Sequence, residues 1–133
     1  METLIAEDDF GSRLLLQELL KSYGPSHIAV NGKEAVAAVR VALEADQPYE
    51  LICLDIMMPE MDDHAALKEI RALEEKAGIW ATYRAKVVMA TALLGDTQNA
   101  AATYRSLCDA YLAKPIEKVK LLATLRRLQL IST

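Results

Sequence analysis

Several side chains in this chain could act together on one small charged group, and each stands where an apolar run ends. Asp55 closes the run Leu51–Leu54 and is followed by Met57, Met58 and Pro59. Asp8 and Asp9 come just after Thr3–Ala6 and Glu7, Thr91 ends the stretch KVVMAT, and Lys114 follows AYLA. A carboxylate at the exit of a buried segment is costly unless exposure, a cation or a chemical role compensates it. Clustered carboxylates resist ionising together. Mg²⁺ relieves that repulsion, because it takes a few protein oxygens and keeps several waters. With an ammonium and a hydroxyl beside it, such a site also suits the three equatorial oxygens of a phosphoryl group. Asp55 is then a candidate nucleophile that becomes an aspartyl phosphate. Nothing in the chain resembles a phosphate-cradling Gly-rich loop, so the phosphoryl group should arrive on a donor rather than from a bound nucleotide.

The elements that must position these residues are legible from periodicity. Thr3–Ala6 reads as a strand. Phe10–Tyr23 reads as a helix with Phe10, Leu14, Leu15, Leu19 and Leu20 inward, and Gly24-Pro25 ends it. Ser26–Val30 is a second strand, with Ile28 and Val30 alternating against Ala29. Asn31 and Glu34 form a capping-box signal for a helix carrying Val36, Val39 and Leu43 inward. The strand up to Asp55 follows. Asp62 or Asp63 caps a third helix with Leu67, Ile70, Leu73 and Ala77 inward, and Gly78 stops it. Ile79–Arg84 is a connector that holds Trp80. Lys86–Ala92 is a strand, and Gly95 and Asp96 start a fourth helix facing inward through Ala101, Tyr104 and Cys108. Ala110–Ala113 is the last strand. Ile116–Leu130 is the last helix, with Leu121, Leu122, Leu125 and Leu128 inward. Five strand–helix alternations predict an α/β fold, a parallel sheet with helices on both faces and right-handed crossovers. Ligands in such sheets bind beyond the carboxyl ends of the strands. The fold should therefore bring Asp8, Asp9, Asp55, Thr91 and Lys114 to one rim.

The bulk properties agree with that picture. At 133 residues and 53% hydrophobic, the chain is expected to form one domain over 1–133 with a real core. A net charge of −4 argues against direct nucleic-acid binding. No apolar run reaches membrane-spanning length, and no secretory signal precedes the first strand. Cys53 and Cys108 each sit in an apolar stretch, as expected of buried thiols in a reducing cytoplasm.

At these residues the chain resembles the receiver domain of two-component response regulators. The resemblance spans essentially the whole chain. It rests on Glu7-Asp8-Asp9, Asp55-Ile56-Met57-Met58-Pro59, Thr91-Ala92 and Tyr111 through Lys114-Pro115, in that order. It implies a flavodoxin-like (βα)5 fold with strand order 2-1-3-4-5. It also implies phosphotransfer to Asp55 from a sensor histidine kinase or a histidine phosphotransfer protein. Asp9, Asp55 and the Met57 carbonyl would ligate Mg²⁺, with Asp8 acting largely through water. Lys114 and Thr91 would contact the phosphoryl group, Tyr111 would move inward with Thr91, and Lys114-Pro115 would be a cis peptide. The resemblance further implies a signalling module rather than an enzyme, catalysing only its own phosphorylation and dephosphorylation. No output domain is read in the chain. Its partner or homodimer surface would be the fourth helix, last strand and last helix, through Leu93, Lys118 or Lys120.

Asp63 stands where the family often has Gly, and Leu107-Cys108 where it often has Gly-Ala, but neither touches the phosphorylation residues. Taken singly, Asp8 or Asp9 reads as a helix cap, Thr91 as a strand-end hydroxyl, Lys114 as a solvated turn residue and Tyr111 as core. The ordered set is what points to function. Two alternatives stand beside it. A haloacid-dehalogenase-type phosphohydrolase needs a second Asp where Met57 stands, and a non-phosphorylated docking module would not need Asp55, Thr91 and Lys114. Met57 and Leu93 also occupy the positions that orient attacking water in receivers. Both are apolar, so slow loss of the phosphoryl group is expected.

Overall fold

The computed structural model describes residues 1–55, 63–79, 84–91 and 108–132, with the backbone alone at 63, 64 and 91. Its strands are β1 (Thr3–Ala6), β2 (Ser26–Ala29), β3 (Leu51–Asp55), β4 (Lys86–Thr91) and β5 (Ala110–Ala113). Its helices are α1 (Phe10–Leu20), α2 (Gly32–Glu44), α3 (Asp63–Lys76) and a C-terminal helix (Lys118–Arg127). The strands form one parallel sheet in the order β2-β1-β3-β4-β5, the expected flavodoxin-like arrangement. Gly95, Asp96, Ala101 and Tyr104 of the expected fourth helix lie outside the described residues, as do Trp80, Met57 and Leu93.

The central strands are apolar on both faces because helices cover both faces. Leu4, Ile52, Leu54, Val87 and Met89 pack on one side with Val36 and Val39 of α2 and Leu67 and Ile70 of α3. Their neighbours Ile5, Leu51, Cys53, Val88 and Ala90 pack on the other with Leu16 and Leu20 of α1 and Leu121 and Leu125 of the C-terminal helix. Alternation of successive side chains between faces turns one short apolar run into two half-cores. Cys53 and Cys108 are both buried thiols, and burial pushes Cys53 up to about 12.

Local signals set the element ends. The Asn31 side chain accepts from the Glu34 N–H at 2.8 Å, and Glu34 Oε1 accepts from the Val30 N–H at 3.0 Å. This is a capping box whose return bond lands one residue before the cap. Gly78, at φ 79°, follows α3 in the left-handed region that a glycine adopts without strain.

Several expected boundaries and faces differ. β2 stops at Ala29, whose side chain is buried, while Ile28 is half-buried and Val30 exposed. α1 ends at Leu20 and tightens into a 3-10 turn over Lys21–Tyr23. The inner face of α1 is Leu16 and Leu20, whereas Phe10, Leu14 and Leu15 are exposed. Five leucines between positions 14 and 20 cover too much of the helix surface for periodicity to select the face. Docking against the sheet selects it. Ala77 lies on solvent beyond the last turn of α3, and Leu122 and Leu128 are half-buried beside Leu121 and Leu125.

This packing predicts a contrast within α1. Leu16→Ala should cost roughly 2–5 kcal/mol of unfolding free energy. Leu14→Ala, on the exposed face, should stay within about 0.5 kcal/mol. Urea melts of both variants check it, and equal losses would contradict the observed helix rotation.

Candidate functional site

The site stands on the carboxyl rim of β1, β3 and β5. β1 and β3 pair with Ala6 opposite Leu54, so the next residues, Glu7 and Asp55, leave the sheet side by side. Glu7 still belongs to the ladder, because its N–H donates to the Ala29 carbonyl at 2.9 Å. Its side chain is therefore held at the rim, 1% exposed, and Asp55 is 5% exposed. β4 and β5 pair with Thr91 opposite Ala113, which delivers Lys114 to the same rim. The Lys114 ammonium lies 2.6 Å from Glu7 Oε1 and 3.2 Å from Asp55 Oδ1. The Lys114-Pro115 peptide is cis.

The electrostatics follow from burial. Glu7 is raised to about 7, first by desolvation and then by a hydrogen bond shared with Asp55, against the opposing pull of Lys114. For Lys114, burial disfavours the ammonium. The Glu7 hydrogen bond and the charges of Asp55 and Glu7 outweigh it and raise its pKa. Glu7 Oε1 is fully buried, and the Lys114 ammonium meets it at 2.6 Å. Asp8 is exposed beside them, and Glu7, Asp8 and Asp55 each offer an oxygen within 4.8 Å of the others. Such a trio, two of its three carboxylates buried and a single ammonium shared between those two, fits a hard divalent cation that keeps part of its water shell.

Asp9 is placed differently from the sequence expectation. It caps α1, its Oδ2 accepting from the Ser12 N–H at 2.8 Å, and bonds from the Ser12 backbone and hydroxyl lower its pKa. Its own N–H donates to Glu7 Oε2 at 3.2 Å. The carboxylate gathered with Asp8 and Asp55 is thus Glu7. Three consecutive acidic residues leave the choice open in the sequence: which one stays on the ladder and which caps the helix depends on where β1 ends and α1 begins. The backbone of Thr91 ends β4 at the rim; its side chain lies outside the described residues, as does the Met57 carbonyl. Tyr111 is half-buried on β5 opposite Met89. Surface clefts such as that between α2 and α3, lined by Arg40, Leu43, Leu73 and Lys76, lie away from this chemistry.

The response regulator receiver domain family matches residues 3–126. The two-component response regulator ORR41 of Oryza sativa subsp. japonica is 31% identical over 133 residues, covering 98% of this chain and 95% of that protein. The sensory/regulatory protein RpfC of Xanthomonas campestris pv. campestris is 30% identical over 125 residues, which are 94% of this chain but only 16% of that protein's length. Among solved structures, the receiver domain of the sensor histidine kinase PA1611 of Pseudomonas aeruginosa is similar with a TM-score of 0.74. It is 28% identical, with 96% of this chain and 95% of that one covered, and carries a magnesium ion in its active site cleft.

The raised Glu7 pKa has a consequence for stability. The unfolded chain releases this proton near 4.5, and the folded protein holds it to about 7. The stabilising contribution is thus fully present below the lower value and is lost as pH rises through the upper one. In metal-free protein, Glu7→Gln should stabilise increasingly between pH 5 and pH 8, by roughly 1–3 kcal/mol at the top of that range. Thermal melts across the range check it, and a gain independent of pH would contradict the shared-proton arrangement.

Proposed function

The chain belongs to the response regulator receiver domain family, and on that footing we propose that it is a phosphorylation-dependent switch accepting a phosphoryl group on Asp55. The observation that carries this reading is the Lys114 ammonium 3.2 Å from a buried strand-end carboxylate, beside two further acidic groups. Glu7, Asp8 and Asp55 would hold Mg²⁺, with the Met57 carbonyl as the family pattern implies, while Asp9 remains a helix cap. The cation would supply positive charge to the phosphoryl oxygens. An Asp55 oxygen attacks phosphorus and forms the O–P bond. The P–N bond of a phosphohistidine donor breaks, and its electron pair returns to the imidazole nitrogen. Lys114 turns from Glu7 and Asp55 to a phosphoryl oxygen, and Glu7 would act as an ionised ligand, its proton released to solvent.

The donor in this reading is a histidine kinase or a histidine phosphotransfer protein, acting in the cytoplasm. The chain is a signalling element whose chemistry is confined to its own phosphorylation and dephosphorylation. Thr91 and Tyr111 would move together, shifting the balance between two states of the face around β5 and the C-terminal helix. Val119, 77% exposed between Lys118 and Lys120, is the kind of residue a protein partner or a second copy would cover there. No helix among the described residues is long and apolar enough to cross a membrane.

The test is intact-mass analysis after incubation with Mg²⁺ and acetyl phosphate. Wild type should gain one phosphoryl group, Asp55→Asn should gain none, and Lys114→Ala should label roughly 10²-fold more slowly. Equal labelling of Asp55→Asn would remove Asp55 as the acceptor.

A further inference from the structure

A second buried ionic cluster lies away from the rim, where β4 and β5 begin. Arg71 and Glu74 of α3 are 9% and 5% exposed. Arg71 Nη1 donates to Glu74 Oε1 at 2.7 Å and to the Ala85 carbonyl at 2.8 Å, and its Nη2 donates to Asp109 Oδ2 at 3.2 Å. Glu74 Oε2 accepts from the Ala85 N–H at 2.7 Å. Asp109 and Val87 are clasped in both directions: the Val87 N–H donates to Asp109 Oδ2, and the Asp109 N–H donates to the Val87 carbonyl, both at 2.8 Å. α3 is thereby tied to the residue before β4 and to the residue before β5.

We propose that Arg71 is a positioning residue for Lys114, acting through Asp109 and the register of β5. β5 has four residues and stands at the sheet edge, paired with β4 alone. Asp109 fixes where that pairing starts, with Val88 opposite Ala110, and therefore where it ends, with Thr91 opposite Ala113. Lys114 is the next residue. A one-residue slip would carry it about 3.3 Å along the strand and reverse the faces of β5. That displacement is as large as the Lys114–Asp55 separation of 3.2 Å. Even a shift near 1 Å in a group that contacts the reacting atoms costs on the order of 10²-fold in rate. Glu7, Asp8 and Asp55 come from β1 and β3, whose pairing does not involve β5.

The inference rests on the receiver chemistry proposed above, and it separates two readouts. In Arg71→Met, the Mg²⁺ concentration at the midpoint of the melting-temperature shift should stay within about twofold of wild type, and labelling is followed well below the variant's own melting temperature. Phosphorylation by acetyl phosphate at saturating Mg²⁺ should slow roughly tenfold or more. Asp109→Asn keeps an acceptor for the Val87 N–H and weakens only the Arg71 pair, so it should fold and show a smaller slowing in the same direction. Parallel loss of Mg²⁺ response and labelling, or wild-type labelling rates in both variants, would overturn the positioning role. If wild type itself takes no label, the receiver chemistry fails and this inference fails with it.

Discussion

Two buried carboxylates side by side at the end of a parallel sheet need positive charge or a proton, and Lys114 supplies charge to both Glu7 and Asp55. At 3.2 Å and an effective dielectric near 20, the Lys114–Asp55 attraction is about 5 kcal/mol before desolvation. Removing each ion from water costs several kcal/mol, so the pair contributes little net stability. What it supplies is order. The ammonium and the acidic groups are already assembled where the proposed transfer would need charge to be stabilised. Burial first, and the neighbouring Asp55 second, raise Glu7 to about 7, and a divalent cation would relieve both costs.

The sheet order makes this assembly possible. Glu7 and Asp55 come from adjacent strands, and Lys114 comes from the edge strand beyond β4. The cluster of Arg71, Glu74 and Asp109 ties the starts of β4 and β5 to α3. The acidic rim and the buried clasp therefore occupy opposite ends of β5.

Much of this was legible in the residues. Short apolar runs ending in polar residues or proline gave the strands, and the limits of β1 and β5 follow from them. The acidic and basic strand ends pointed to one rim. Three features were not legible, each because a tertiary contact decided between choices the sequence left equal. The face of α1 was hidden by an excess of leucines. The division of labour among Glu7, Asp8 and Asp9 depended on where the ladder ended and the helix began. The Arg71–Glu74 pair has ordinary helix-surface spacing, and it is buried only because the backbone of Ala85 and the side chain of Asp109 meet it.

The groups that surround Asp55 decide whether it can accept a phosphoryl group. A crystal structure of the protein with Mg²⁺ and beryllofluoride tests it most directly. Beryllium should bond to an Asp55 oxygen, with a fluorine against Lys114 Nζ, and the cation should sit among Glu7, Asp8 and Asp55 while Asp9 still caps α1. A cation ligated by Asp9 with Glu7 turned away, or beryllofluoride bound somewhere other than Asp55, would contradict it.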